Sequence, residues 1–124
     1  LIAGGACPTI YIIYKMLLDT GDGVIYPTPS WNNNHYYHLI GAKQYCMETS
    51  PENNLLRTAA EIALYVKDAR LLALYSSLNP TGTTFTEEAL RGICTLVLDE
   101  NKRCGSAKKT ALCDLRSNLF DAHL

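Results

Sequence analysis

The segment that most restricts the fold is Leu71-Leu72-Ala73-Leu74-Tyr75, an unbroken apolar run ended by Ser76-Ser77-Leu78-Asn79-Pro80-Thr81-Gly82. A short apolar run without polar alternation, closed by turn residues, reads as a strand buried on both faces. Helical patterns flank it. Upstream, Thr58-Ala59-Ala60-Glu61 fits the capping box, with Ile62, Tyr65, Val66 and Ala69 following at helical spacing. Downstream, Thr86-Glu87-Glu88 opens a helix whose face carries Leu90, Ile93, Leu96, Val97 and Glu100, with Cys94 beside them.

The same alternation runs through the first half. Ile10 to Leu18 is an apolar helix with Pro8 in its first turn, and residues 19–23 break it. Val24-Ile25-Tyr26 is a short buried strand, and Pro27 and Pro29 predict an extended loop from Tyr26 to Trp31. Asn33 to Ile40 predicts a helix stopped by Gly41, Gln44 to Glu48 a strand, and Pro51 to Asn54 a turn. Residues 101–109 read as a polar, basic loop or helix end. The order helix, strand, helix, strand, helix, strand, helix predicts an α/β fold with parallel pairing. Ligands of such sheets bind beyond the carboxyl ends of the strands. Three loops fall there: Ala3 to Pro8, Tyr26 to Trp31 and Leu78 to Gly82.

Each loop has a chemical and a plain structural reading. Gly4-Gly5-Ala6 before a helix suits a phosphate held by backbone N–H groups, or is a simple turn into the helix. Trp31, the single tryptophan, can stack on a flat ring or anchor a core. Asn79 can donate to a ligand oxygen or cap its turn.

Composition narrows the classes. The chain has 124 residues, 48% hydrophobic and 19% charged, with net charge -1. That is one domain's worth of ordinary globular composition. Near-zero charge argues against nucleic-acid binding, and no apolar run reaches the roughly 18–20 residues of a membrane helix. Five scattered cysteines (Cys7, Cys46, Cys94, Cys104, Cys113) contain no CxxC pair and predict reduced structural thiols of a cytoplasmic protein. Cys46 and Cys94, within apolar runs, read as small core residues. His35 and His38 are three apart without further ligands, and with His123 they read as surface or packing residues; no metal site is predicted.

Together the loops resemble a family. Asn79-Pro80-Thr81-Gly82 followed by T-x-E-E-A-L is similar to the signature of the fold-type I pyridoxal-phosphate (PLP) aminotransferases of class I/II. Asp22, Val24 and Ile25, leading to Pro27, Pro29-Ser30-Trp31 and Asn33 with the trailing Gly41-Ala42, resemble its cofactor-stacking segment. The resemblance runs from about Ile2 to Lys109 and favours the aspartate-aminotransferase-like branch. It implies a partial three-layer α/β/α sandwich, residues 1–109 forming part of the PLP-binding large domain. It implies Gly4, Gly5 and Ala6 at the phosphate, Trp31 stacked on the pyridine ring and Asn79 on its 3-oxygen, with Tyr26, Pro27, Pro29 and Asn33 shaping the wall. The implied activity is amino-group transfer between an amino acid and a 2-oxo acid, in a homodimer.

The pattern then stops. The family's next strand carries an aspartate in D-x-x-Y that pairs with the pyridine nitrogen, and beyond it come the Schiff-base lysine and a substrate-binding arginine. After Lys109 the chain reads TALCDLRSNLFDAHL, which does not resemble that strand, and no residue matches the lysine. In one permitted back-translation of residues 111–124, dropping the first base gives LYATYDQIYSTLT, which contains D-x-x-Y. Residues 110–124 are therefore expected to be an aberrant tail read out of frame; the other reading is a genuine alternative C-terminus, with Leu112, Leu115, Leu119 and Phe120 on one face. Because it begins at apolar Leu1 rather than at a Met, the chain is expected to be a slice of a longer domain that lacks activity on its own. The competing reading of the whole is a non-catalytic α/β binding or interaction module, and a nucleotide-binding domain ranks last because neither a Walker nor a Rossmann motif is present.

Overall fold

The computed structural model describes residues 4–30, 33–104 and 110–116. Helix α1 (Ala6–Leu17) leads to strand β1 (Gly23–Thr28), helix α2 (Asn33–Ile40) to β2 (Lys43–Glu48), and the short helix α3 (Ala59–Ile62) to β3 (Leu71–Ser76). Helix α4 (Glu87–Cys104) then leads to β4 (Ala111–Arg116). The strands form one parallel sheet in the order β2-β1-β3-β4.

Alternation along the inner strands divides the core into two layers. Ile25, Leu72 and Leu74 pack with Ile62 and Val66 near α3 and with Ile93 and Val97 of α4. Val24, Tyr26, Leu71 and Ala73 point the other way, onto Ile10 and Tyr14 of α1 and Tyr36 and Ile40 of α2. Helices therefore cover both faces, which is the expected three-layer α/β/α sandwich. β3 is buried from Leu71 to Tyr75 because both of its faces are covered.

Two elements extend past their sequence limits. β1 runs on through Tyr26 and Pro27 to Thr28 instead of giving way to a loop. Backbone groups alternate in direction along a strand, and the Asp22 and Thr28 carbonyls accept from Lys43 and Thr49 on the β2 side, at 2.8 and 2.9 Å. Pro27 thus faces the β3 side, where pairing of β1 ends at Ile25, so its missing N–H costs no ladder bond. The second addition is β4. Residues 111–116, read as unlike the family's strand, pair with β3 at six positions from Leu71↔Ala111 to Ser76↔Arg116. Thr110 fixes the start of β4. Its N–H donates to Asn101 Oδ1 at 2.7 Å, Asn101 Nδ2 returns a bond to its carbonyl at 2.9 Å, and its hydroxyl donates to the Ala69 carbonyl at 2.7 Å.

One element is shorter than its periodicity suggests. The capping box at Thr58 and Glu61 forms, but the α-helix it opens ends at Ile62. The next bonds tighten to three-residue spacing, Tyr65 N–H to Ile62 and Asp68 N–H to Tyr65, both at 3.0 Å. Ile62, Val66 and Ala69 stay buried, while Tyr65 turns outward. The two cysteines expected in the core are exposed. Cys46 points from the edge strand β2 to the side opposite buried Met47, and Cys94 follows Ile93 onto the outer face of α4. Gly23 is required at the start of β1: a Cβ there would run into the Asp68 carbonyl, with Ala69 Cα at 3.1 Å.

Candidate functional site

The described parts of the three loops singled out in the sequence lie at one edge of the sheet. β1 ends at Thr28 and β3 at Ser76, so residues 29–30 and 77–82 leave the parallel strands at their carboxyl ends. α1 joins the amino end of β1 through the short segment 18–22, which turns the N-terminus of the helix toward that same carboxyl edge.

At the start of α1, Gly5 is the N-cap with φ 135°, a conformation that favours glycine. No side chain caps the helix, and its first turn contains no acid. The first amides of a helix have no intrahelical acceptor, and Pro8 contributes no N–H. The amides of Gly5, Ala6 and Cys7 therefore have no intrahelical acceptor, and open space surrounds the Gly4 and Gly5 Cα atoms. Together with the helix dipole, this donor set fits a phosphate.

After β3 the chain folds onto itself around buried Leu78. The Leu78 carbonyl accepts from Gly82 N–H at 2.6 Å and from the Thr81 hydroxyl at 3.3 Å, and Leu78 N–H donates to the Thr83 carbonyl at 2.7 Å. Gly82 supplies the positive φ of 73° that closes the loop. Asn79 is exposed on this braced turn. Trp31 lies outside the described residues, as do Lys108, Lys109 and His123.

The wall residues divide. Pro29 is exposed, but Tyr26 and Pro27 are buried. The Tyr26 hydroxyl donates to Gln44 Oε1 at 2.8 Å, and its ring stacks on Tyr37 with centroids 5.6 Å apart. Burial pushes this phenol far above its ordinary range, so it stays protonated. Tyr26 thus serves the core rather than an open wall. His35 and His38 are exposed on α2, and no group of three or more His, Cys, Asp or Glu suited to a metal occurs among the described residues. A separate cleft of about 420 Å³ opens between the end of β2 and α3, lined by Cys46, Met47, Glu48, Arg57, Leu64 and Tyr65. It uses none of the loop residues.

Comparison with known proteins gives this architecture its class. The sequence model described as Aminotransferase class I and II matches residues 1–102, and the chain belongs to that family. Family members depend on pyridoxal phosphate. An aspartate aminotransferase of Bacillus sp. (strain YM-2) is 29% identical over 103 residues, which are 82% of this chain and 26% of that protein. A probable N-acetyl-LL-diaminopimelate aminotransferase of Bacillus subtilis (strain 168) is 32% identical, with the same coverage. The chain thus spans about a quarter of the length of these relatives. In fold it is similar to aspartate aminotransferase from Thermus thermophilus, with TM-score 0.80, 21% identity, and coverage of 90% of this chain and 28% of that one. Alanine aminotransferase from Pyrococcus furiosus follows at TM-score 0.73 and 19% identity, covering 86% and 26%.

Proposed function

We propose that the chain is part of a pyridoxal-phosphate-dependent aminotransferase and carries one side of its cofactor pocket. The observation that carries this reading is the uncapped, acid-free start of α1 at the carboxyl edge of a parallel sheet in a chain of this family. Gly4, Gly5 and Ala6 hold the phosphate through backbone N–H groups, and the helix dipole adds to its binding. Trp31 stacks on the pyridine ring, and Asn79, held out by the Leu78 turn, donates to the ring 3-oxygen. Bound there, the cofactor supplies an electron sink for the charge left when an amino acid loses its α-proton.

These residues bind and orient; none of them moves the proton. The Schiff-base lysine and the ring-nitrogen aspartate have no counterpart in this chain, and residues 110–124 are read as an out-of-frame tail in their place. The complete enzyme exchanges amino groups between an amino acid and a 2-oxo acid, as a homodimer. The isolated chain is expected to bind PLP weakly through its phosphate and to show no transaminase activity. PLP titration followed by absorbance and equilibrium dialysis tests the binding. Gly4→Asp, which sets a carboxylate against the phosphate, and Asn79→Ala should each weaken it. Binding unaffected by both leaves the non-catalytic module as the better reading, and turnover above background would refute inactivity. Gene sequencing decides the tail: no single-base change restoring D-x-x-Y means the tail is genuine.

A further inference from the structure

The charges in the cleft between the end of β2 and α3 are unequally paired. Arg57 and Glu61 neutralise each other, with Arg57 Nη1 bound to Glu61 Oε1. Glu61 Oε2 is also occupied, accepting from the Thr58 N–H at 2.8 Å and the Thr58 hydroxyl at 3.0 Å. Glu48 lines the same cleft, and among the described residues it has no ion pair. The one cation of β2, Lys43, sits over the Tyr45 ring at 5.0 Å from its centroid. Its Cα lies roughly 16 Å along the extended strand from that of Glu48.

The rest of the lining is apolar. Met47 is buried, and Leu64 and Tyr65 are 73% and 37% exposed. The Tyr65 ring tilts against Tyr45 with centroids 6.1 Å apart. An unpaired carboxylate among exposed apolar and aromatic side chains is the complement of an ammonium on an apolar body. Arg57 does not make the cleft an anion site, because Nη1 is committed to Glu61 and the unpartnered Nε is buried. The volume of about 420 Å³ stands at the small end of the roughly 300–1,000 Å³ of small-molecule sites. We propose that this cleft binds a small alkylammonium, its charge on Glu48 and its chain on Met47, Leu64 and Tyr65. The site is independent of the cofactor reading, because none of its residues belongs to the three loops.

Cys46 gives the site its own reporter: it is exposed and part of the lining, whereas Cys94, also exposed, lies on α4 outside it. The test alkylates the full chain with iodoacetamide at neutral pH and follows both cysteines by peptide mass spectrometry. PLP is left out, since its aldehyde would condense with an amine. Saturating n-hexylammonium should slow alkylation of Cys46 several-fold and leave Cys94 unchanged. n-Hexanol, of the same length without the charge, should need about fivefold more for the same protection. Glu48→Gln, an exposed change on an edge strand, should keep its melting curve and weaken n-hexylammonium to the level of n-hexanol. Leu64→Ser, equally exposed to solvent, should weaken both ligands. Unslowed Cys46, equal slowing of Cys94, or equal protection by n-hexanoate would each overturn the site. Full protection surviving in Glu48→Gln or in Leu64→Ser would overturn it as well.

Discussion

Glu100 is the most consequential ionised residue in the core layers. It is 8% exposed on the inner face of α4, and the guanidinium of Arg103 binds both of its carboxylate oxygens. That contact above all, aided by the Cys104 thiol and the charge of Lys67, holds its pKa at about 2 against an ordinary 4.5. A carboxylate with a lowered folded-state pKa stabilises the protein above the unfolded value, and that stability is lost as pH falls through the folded value. The window therefore runs from about pH 4.5 down to about pH 2. Thermal melts of wild type and Glu100→Gln should differ most at neutral pH and converge across this window. A difference independent of pH would show that the Arg103 contact contributes nothing. The sequence placed Glu100 on the buried face but not its partner, because a charge three residues on is as common on a solvated helix as in an ion pair. Cys46 and Cys94 show the same limit in reverse. An apolar neighbourhood in sequence does not say which way a side chain points, and both point to solvent.

At the scale of elements, local signals marked where structure starts better than how far it continues. The Thr58 capping box formed because both its halves lie within one turn: Thr58 N–H donates to Glu61 Oε2 at 2.8 Å, and the Glu61 N–H donates to Thr58 Oγ1 at 3.4 Å. The helix nevertheless stops after one turn, since burial of Ile62, Val66 and Ala69 against the sheet is met by tighter turns. With a single α-turn to hold, the box bears a large share of this segment's local order. Thr58→Ala should cost about 1 kcal/mol in chemical denaturation. A loss much below that would mean that packing of Ile62 fixes the turn without the cap. β4 was invisible for a different reason. Its sequence, ALCDLR, lacks the continuous apolar character of a buried parallel strand, and its strand conformation comes from pairing along the exposed edge of β3. Of the candidate site, the loop positions followed from element order, whereas the closure of the 78–83 turn on Leu78 depended on bonds that sequence does not display.

For the whole molecule, the sheet order leaves two open flanks. β2 is paired only to β1 and β4 only to β3 among the described residues. The β2 flank carries exposed Lys43 and Glu48, charges that oppose further pairing. Among the described residues nothing pairs with the outer flank of β4, and a parallel strand with an unpaired edge offers a row of unsatisfied N–H and C=O groups. Apolar side chains outside the core add to this, Met16 on α1 and Leu64 beyond α3 being 79% and 73% exposed. Unpaired backbone and uncovered apolar surface both favour association over a free monomer. The 13.7 kDa chain should therefore self-associate, its mass by light scattering rising with concentration. Hydrogen exchange should locate the contact, with β4 amides gaining protection as concentration rises and β2 amides unchanged. A concentration-independent mass of 13.7 kDa would show instead that the β4 edge is covered within the single chain.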